Sequence, residues 1–251
     1  MKTRAMKNIR LHQISTLAPD AVVKDKIKKQ TAQMAAELGE LQNRLYASKT
    51  HSVLLVLQGM DASGKDGAVR HVFSPLNPQG VEVTSFKQPS PEEAAHDFLW
   101  RAHRNTPAKG MIQVFNRSYY EDILVTRVHG WCDKKTADQR IRSINAFEEL
   151  LENNHTHIVK CYLHVSEKEQ KERLKERTKD PSKRWKYDRH DKKEVELRDE
   201  YIKMYEYCFR HCSRVPWLIV PSDQNWYKEY LITKQLHGLL RRLHLKYPGL
   251  K

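Results

Sequence analysis

The sequence predicts an α/β fold in which a central parallel sheet of five strands lies between two layers of helices. Five short apolar runs alternate with helical segments along the 251 residues, which is the pattern of a parallel sheet with crossover helices. The first run, residues 53–57, is continuous, as expected of a central strand buried on both faces. It leads into glycines with the spacing of a phosphate-binding loop (P-loop). We therefore expect a P-loop three-layer sandwich.

The remaining elements follow from periodicity and turn residues. Further strands are predicted over residues 81–86, 111–115, 158–165 and 217–220. Helices are predicted after the first and third strands and over residues 21–47, 91–105, 134–154, 166–180, 191–211 and 225–245. Ser90 is expected to cap the helix that Pro91 begins. Residues 1–20 are expected to form a flexible arm, and residues 21–251 a single domain whose residues 167–190 form a helical lid.

The charge balance indicates a polyanionic partner. Forty-five Lys and Arg against 31 Asp and Glu give a net charge of +14. No signal peptide or membrane span is expected, and the four cysteines suggest no disulfide framework, so a cytoplasmic protein is predicted. Cys208, His211 and Cys212 are too few ligands for a zinc site.

The glycine-rich segment after the first strand is predicted to cradle phosphate. Glycines permit a tight turn, and backbone N–H groups attract an anion together with the N-terminus of the next helix. Lys65 adds a full positive charge. The residues expected to line this loop are Gly59, Ala62, Ser63, Gly64, Lys65 and Asp66. The alternative is an ordinary glycine-rich turn between a strand and a helix.

Two acids in this loop indicate a bound cation. Asp61 lies inside the loop, and Asp66 occupies the position where a Ser or Thr hydroxyl commonly binds Mg²⁺. Carboxylates in an anion-binding loop would repel phosphate unless a cation lay between them. We therefore interpret Asp61 as a ligand of Mg²⁺, with Mn²⁺ as a second option. The alternative is that both acids only cap the helix.

The carboxyl ends of the other strands are expected to bring further polar residues to the same edge of the sheet. Lys87 follows the second strand, and Asn116 and Arg117 follow the third. Arg117 is placed either to clamp phosphate bidentately or to pair with an acid at the helix start. Glu121 either completes the Mg²⁺ shell or neutralises Arg117. Arg127, on a similar side of the same helix, points either to the site or to solvent.

A charged helix over residues 168–177 carries Arg173 and Arg177 on one face. The usual interpretation of such a run is a solvated helix. Here it is followed by a basic loop over residues 181–190, which includes Lys186 and lies beyond the strand ends. Together they predict a lid that folds over bound phosphates and excludes water.

These segments resemble the polyphosphate kinase 2 family over nearly the whole chain. The matching segments are residues 59–67, 96–101, 116–122 and 171–186. The resemblance implies a P-loop fold with a lid, Mg²⁺, and phosphoryl transfer between inorganic polyphosphate and nucleotides. It places the family's loop lysine on Lys65, its metal-binding aspartate on Asp61 and its acidic or amide position after the third strand on Glu121. The phosphate-contacting basic residues of the family fall on Arg117, Arg173 and Arg177.

The run Asn-Arg-Ser-Tyr-Tyr-Glu at residues 116–121 resembles the class that accepts both AMP and ADP. We therefore expect a Mg²⁺-dependent transferase that moves a phosphoryl group reversibly and in line from polyphosphate to AMP or ADP. Adenine nucleotides, with guanine nucleotides as a further option, are the expected acceptors. The expected assembly is a homodimer or homotetramer, and neither nucleic acid nor a membrane is an expected partner. An ATP-dependent nucleoside monophosphate kinase of thymidylate-kinase type and a basic nucleic-acid-binding module remain as alternatives.

Overall fold

The computed structural model describes residues 9–186 and 191–250, and its centre is a five-stranded sheet. The strands are β1 (Ser52–Gln58), β2 (Val81–Ser85), β3 (Ile112–Asn116), β4 (Thr156–His164) and β5 (Trp217–Pro221). They lie in the order β2-β3-β1-β4-β5, and every neighbouring pair is parallel. The predicted α/β fold class is confirmed.

Ten α-helices are described. They are α1 (Lys24–Ser48), α2 (Lys65–Phe73), α3 (Pro91–Ala95), α4 (Trp100–Arg104), α5 (Glu121–Val128), α6 (Lys134–Asn153), α7 (Glu167–Lys179), α8 (Asp191–Glu196), α9 (Arg198–His211) and α10 (Asn225–Arg242). Ser90 caps α3 with the expected geometry: its Oγ accepts from the amide of Glu93, whose carboxylate accepts in return from the amide of Ser90.

Two predicted helices are each divided in the structure. The helix expected over residues 91–105 is split into α3 and α4, because the Asp97 carboxylate accepts a hydrogen bond from the amide of Leu99 at 2.9 Å. Such a side-chain bond offers the backbone an alternative to the helical pattern. The helix expected over residues 191–211 is divided into α8 and α9 at Leu197, which has a non-helical ψ of 10°.

The continuous apolar run of β1 is explained by the two layers of helices. Leu54 and Val56 contribute to a buried cluster with residues of α5, α6 and α9. Val53, Leu55 and Leu57 contribute to the opposite cluster, with residues of α1, α2 and α10. All seven residues of β1 are buried, so no side chain of this strand faces solvent and an alternating polar pattern is not needed.

The N-terminal segment differs from the flexible arm predicted over residues 1–20. Residues 1–8 lie outside the described part of the chain, but Ile9, Leu11 and Ile14 pack against the core of the domain. Leu11 is fully buried, and its amide donates to Glu206 Oε1 at 2.8 Å. Thr16 Oγ1 donates to Asp223 Oδ2 at 2.8 Å. An apolar side chain between polar anchors therefore fixes this stretch, a pairing that the sequence alone did not indicate.

A buried ion pair supports the segment that follows β3. Lys160 Nζ of β4 lies 2.8 Å from Glu148 Oε2 of α6, and both side chains are fully buried. The hydroxyls of Tyr119 and Tyr120 donate to Glu148 Oε1 at 3.0 and 2.7 Å. Lys160 also donates to the carbonyl of Cys212 at 2.9 Å. Each buried polar group therefore has partners, and the network anchors the backbone between Arg117 and Glu121.

The structure also bears on the expectations drawn from composition. All four cysteines are free, in agreement with the predicted lack of disulfides. Across residues 9–186 and 191–250, no helix is both long and apolar enough to span a bilayer.

Candidate active site

The phosphate loop lies between β1 and α2, at the carboxyl end of the central strand. Its turn is closed by a hydrogen bond from the amide of Ser63 to the carbonyl of Met60 at 3.1 Å. Gly64 has φ +92°, a conformation that glycine adopts readily. At Gly59 a Cβ atom would lie 2.7 Å from Ser63 Oγ and 2.9 Å from the carbonyl oxygen of Leu163. The glycine spacing is therefore required both by backbone conformation and by close packing.

Side-chain donors hold five carbonyl groups of this loop. Lys65 Nζ donates to the carbonyls of Gly59 and Met60 at 2.7 and 3.1 Å. Three donors come from outside the loop: Gln170 Nε2 to Asp61 O at 3.1 Å, Arg173 Nη1 to Ala62 O at 3.1 Å and Lys228 Nζ to Gly64 O at 3.2 Å.

These contacts orient the peptide groups of the loop. In a trans peptide the N–H of one residue points away from the carbonyl of the residue before it. Because the carbonyls of Asp61 and Gly64 face donors on α7 and α10, the N–H groups of Ala62 and Lys65 face the other way. The N–H of Ser63 instead closes the turn onto Met60. The first amides of α2 also have no acceptor within their own helix. The arrangement is that of an anion-binding loop.

The electrostatics around Lys65 favour an added anion. Burial, followed by the repulsion of Arg117, lowers the pKa of Lys65 to about 8, against the opposing effect of Asp61, Glu121 and Asp66. The charged ammonium is therefore less stable here than in water. A bound phosphate would stabilise its charged form.

Arg117 joins the phosphate loop to the end of β3. Its backbone has φ +62°, and its amide donates to the carbonyl of Leu57 in β1 at 3.0 Å. Its Nη2 lies 2.5 Å from Asp61 Oδ1. Burial works against the charged guanidinium, but the carboxylates of Glu121 and Asp61 outweigh it and raise the pKa of Arg117. The acid that Arg117 contacts thus lies in the phosphate loop rather than at the start of the following helix.

Glu121 lies at the start of α5, close to the same charges. Burial raises its pKa, the positive charges of Arg117 and Lys65 oppose that rise, and the negative charge of Asp61 adds to it. Gln58, the last residue of β1, donates a hydrogen bond that favours the charged form. Two carboxylates that repel each other beside a phosphate loop fit a divalent cation.

The donor set suits a cation that takes most of its ligands from elsewhere. Within the described ranges, no group of three or more His, Cys, Asp or Glu side chains is arranged to hold a metal. Mg²⁺ typically uses one or two protein carboxylates together with substrate phosphates and water. Asp61 and Glu121 meet that requirement, whereas they would not form a closed all-protein site.

Two other predicted binding residues contact each other. Asn116 Nδ2 donates to Asp66 Oδ1 at 2.9 Å and so ties the end of β3 to the first turn of α2. Asn116 is paired with Leu57 in the sheet, which sets it at the level of the loop. In this structure the pair braces the phosphate loop.

The structure does not bring Lys87 or Arg127 onto the phosphate loop. Lys87 is exposed, and its carbonyl accepts from Arg101 Nη1 at 2.8 Å. Arg127 Nη1 donates to the carbonyl of Cys132 at 2.7 Å, at the far end of α5. Lys186 ends the short turn Arg184–Lys186 that follows α7.

Arg173 was expected to contact phosphate, but its guanidinium is bonded to the protein. It donates to the carbonyls of Ala62, Ser222 and Asp223 at 2.8–3.1 Å and to Glu169 Oε1 at 2.7 Å. Arg173 therefore holds the phosphate loop from the side of α7. Arg177, half-buried, lies one turn further along the same face of α7.

Three residues at the site, Arg198, Gln170 and Lys228, were not singled out from the sequence. Arg198 of α9 donates to Gln170 Oε1 at 2.5 Å and to the carbonyl of Val165 at 2.6 Å, which fixes the Gln170 side chain beneath the loop. The third is Lys228. Its position in α10 offered a signal, because it is spaced by fours with the buried residues Ile232 and Leu236.

Comparison with known proteins agrees with this geometry. The family model described as polyphosphate kinase 2 matches residues 21–246 of the chain. An AMP/ADP-polyphosphate phosphotransferase of Meiothermus ruber is 44% identical over 213 residues, which cover 84% of this chain and 80% of that protein. An ADP-polyphosphate phosphotransferase of Rhodopseudomonas palustris is 42% identical over 225 residues, covering 84% of this chain and 78% of that protein.

A solved structure gives the same result. The crystal structure of polyphosphate kinase 2 from Arthrobacter aurescens TC1 superposes with a TM-score of 0.93 at 41% sequence identity. The superposition covers 97% of this chain and 89% of that chain.

The contacts of Arg173 predict a loss of stability when it is replaced. Arg173→Met removes the donor shared by three backbone carbonyls, so the free energy of unfolding should fall by about 2–3 kcal/mol, as measured by urea denaturation. Lys175→Met removes one exposed positive charge from the same helix and should leave stability nearly unchanged. If Arg173→Met keeps full stability and loses only polyphosphate binding, Arg173 is a direct phosphate contact instead.

Proposed function

The chain belongs to the polyphosphate kinase 2 family, and we propose that it transfers a phosphoryl group from inorganic polyphosphate to AMP and ADP. The proposal depends on the surroundings of the phosphate loop. Lys65 and Arg117 both bond to the loop, and Arg173 of α7 holds one of its carbonyls, so that side of the loop faces the protein. That arrangement favours a chain of phosphates, and the net charge of +14 suits a long polyanion.

In this mechanism the loop amides, Lys65 and Arg117 hold the terminal phosphoryl group of polyphosphate. Arg117 presents a planar fork of donors, which matches two phosphate oxygens at once. Negative charge spreads over the phosphoryl oxygens during transfer, and these fixed donors stabilise it without reorganising. Catalysis is then mainly positioning and electrostatic stabilisation.

The acceptor needs little activation. A phosphate group has a second pKa near 6, so the terminal oxygen of AMP or ADP is largely ionised at neutral pH. That oxygen attacks the held phosphorus in line, and the shortened polyphosphate leaves as an anion. No general base is therefore needed to remove a proton from the acceptor.

The metal proposal assigns Asp61 and Glu121 to Mg²⁺. The bound cation would neutralise charge on the phosphates and relieve the repulsion between these two carboxylates. The raised pKa of Glu121 supports this assignment, because burial and Asp61 both disfavour its charge when no cation is bound. Mn²⁺ would use the same oxygen ligands.

The family match favours this function over the two alternatives, a thymidylate-kinase-type enzyme and a nucleic-acid-binding module. Guanine nucleotides as further acceptors, assembly into a homodimer or homotetramer, and closure of a lid over residues 167–190 stay predictions. Residues 187–190 of that lid lie outside the described part of the chain.

The proposed donor can be tested directly with purified protein, Mg²⁺ and polyphosphate. ADP should yield ATP and AMP should yield ADP, as followed by chromatography. Lys65→Ala should lower kcat/KM by roughly 10³-fold, because it removes a charge that acts on the transferred group, while circular dichroism stays unchanged. Lys135→Ala, which removes an exposed lysine of α6, serves as control. No nucleotide product from polyphosphate in the unaltered protein would refute the proposed function.

The metal assignment predicts a specific defect for Glu121→Gln, which keeps the shape of the side chain and removes its charge. The Mg²⁺ concentration for half-maximal rate should rise by at least about 10–100-fold, the loss that replacing even an outer-shell partner of a metal ligand typically causes. Glu82→Gln, at an exposed position of β2, should leave it unchanged. An unaltered Mg²⁺ dependence in Glu121→Gln would mean that Glu121 only neutralises Arg117.

A further inference from the structure

Lys228 occupies a place in α10 where an apolar residue is expected. It is fully buried, and it continues the stripe formed by Ile232, Leu236 and Leu240, all of which are also fully buried. Lysines near an apolar surface usually bury only the aliphatic stem and keep the ammonium in water. Here the ammonium is enclosed as well.

The partners of this ammonium are neutral. Lys228 Nζ donates to the carbonyl of Gly64 at 3.2 Å and to Asn225 Oδ1 at 2.8 Å. Among the residues that the structure describes, no carboxylate forms an ion pair with it. A second cation, Arg173, lies near the same point, with Nη1 3.4 Å from the position that a Cβ atom on Gly64 would occupy.

The surrounding charges leave Lys228 under-compensated. Burial, followed by the repulsion of Arg173, lowers its pKa to about 8, and the negative charges of Glu229 and Glu169 offset this only in part. A buried charge without a paired counter-charge destabilises the folded protein. Stability alone would therefore favour an apolar side chain at this position.

The position of the Lys228 ammonium indicates where its missing negative counter-charge would bind. Lys228 lies against one side of the Gly64–Lys65 peptide, so close that a Cβ atom on Gly64 would be 2.4 Å from Nζ. The other side of that peptide carries the N–H of Lys65, which faces the proposed phosphate site. One peptide unit thus separates the buried ammonium from the anion.

We propose that Lys228 is a positioning residue of the phosphate loop, whose buried ammonium has the terminal phosphates of polyphosphate as its counter-charge. The inference rests on the proposed function and adds a second cation beneath the loop to Lys65 within it. Lys228 holds the Gly64 carbonyl and adds positive potential at low local dielectric, where a charge acts more strongly than at the surface. It does so without touching the substrate.

The test compares Lys228→Met, which removes the charge and the donor, with Lys228→Gln, which removes the charge and keeps an N–H donor. Thermal unfolding is followed with and without tripolyphosphate, and the Kd for polyphosphate is measured by calorimetry. In the ligand-free state Lys228→Gln, which keeps a donor for the Gly64 carbonyl and removes the uncompensated charge, should unfold at the temperature of the unaltered protein or above it. Lys228→Met also loses that donor and should unfold at a lower temperature than Lys228→Gln. Their Kd for polyphosphate should rise by about tenfold or more, and tripolyphosphate should raise their Tm less.

The control is Lys234→Met, which removes an exposed lysine from the same helix and should leave both quantities unchanged. Unaltered polyphosphate binding in Lys228→Met and Lys228→Gln would overturn the inference. So would a marked fall of the ligand-free Tm in Lys228→Gln, because it would show that the charge of Lys228 supports the fold.

The outcomes also separate this inference from the function on which it rests. If the unaltered protein is neither stabilised by tripolyphosphate nor able to bind polyphosphate, the proposed function fails. If it binds and the Lys228 variants bind equally well, the proposed function stands and only the role of Lys228 is rejected.

Discussion

The phosphate loop depends on donors that lie outside it. The carbonyls of Asp61, Ala62 and Gly64 accept hydrogen bonds from side chains of α7 and α10, elements that follow the loop by more than a hundred residues. A glycine-rich segment by itself has many accessible conformations. The external donors select the one in which the carbonyls face the protein. The N–H groups are then oriented before any ligand arrives, which is the preorganisation that electrostatic catalysis requires.

The phosphate loop also contacts two buried positive charges that are only partly compensated. Lys65 and Lys228 both have a pKa lowered to about 8, first of all by burial, and each is also near an arginine. Asp61, Glu121 and Asp66 offset only part of the effect on Lys65, and Glu229 and Glu169 only part of the effect on Lys228. The ligand-free protein is therefore strained electrostatically at its site, and a polyanion with its cation would complete the balance. Marginal stability at a functional site is a common consequence of such arrangements.

The local pattern of the sequence was sufficient for the fold and for the position of the loop. The continuous run of β1 and the glycine spacing after it are local signals, and parallel strands necessarily bring their carboxyl ends to one edge. Contacts between distant residues were harder to predict. The sequence did not reveal that Gln170 and Lys228 would meet the loop, or that Arg173 would be bonded to backbone carbonyls, because these contacts depend on the packing of α7 and α10.

The departures from the sequence prediction have similar causes. The helix expected over residues 91–105 is divided because one carboxylate, Asp97, bonds a nearby amide. The segment expected to be a flexible arm is fixed by Leu11 and by polar partners far along the chain. Lys228 was detectable in principle as a charged residue within an apolar stripe. Its role could be inferred only from the structure, which shows that its ammonium lies against the carbonyl of Gly64.

The most direct measurement of the central claim is a crystal structure of the protein with tripolyphosphate and Mg²⁺. We expect phosphate oxygens about 2.7–3.2 Å from Lys65 Nζ and the loop amides, with the loop backbone within about 1 Å of its ligand-free position. Gln170, Arg173 and Lys228 should still hold their carbonyls. Phosphate bound elsewhere, or a loop that refolds and releases these three donors, would contradict the central claim.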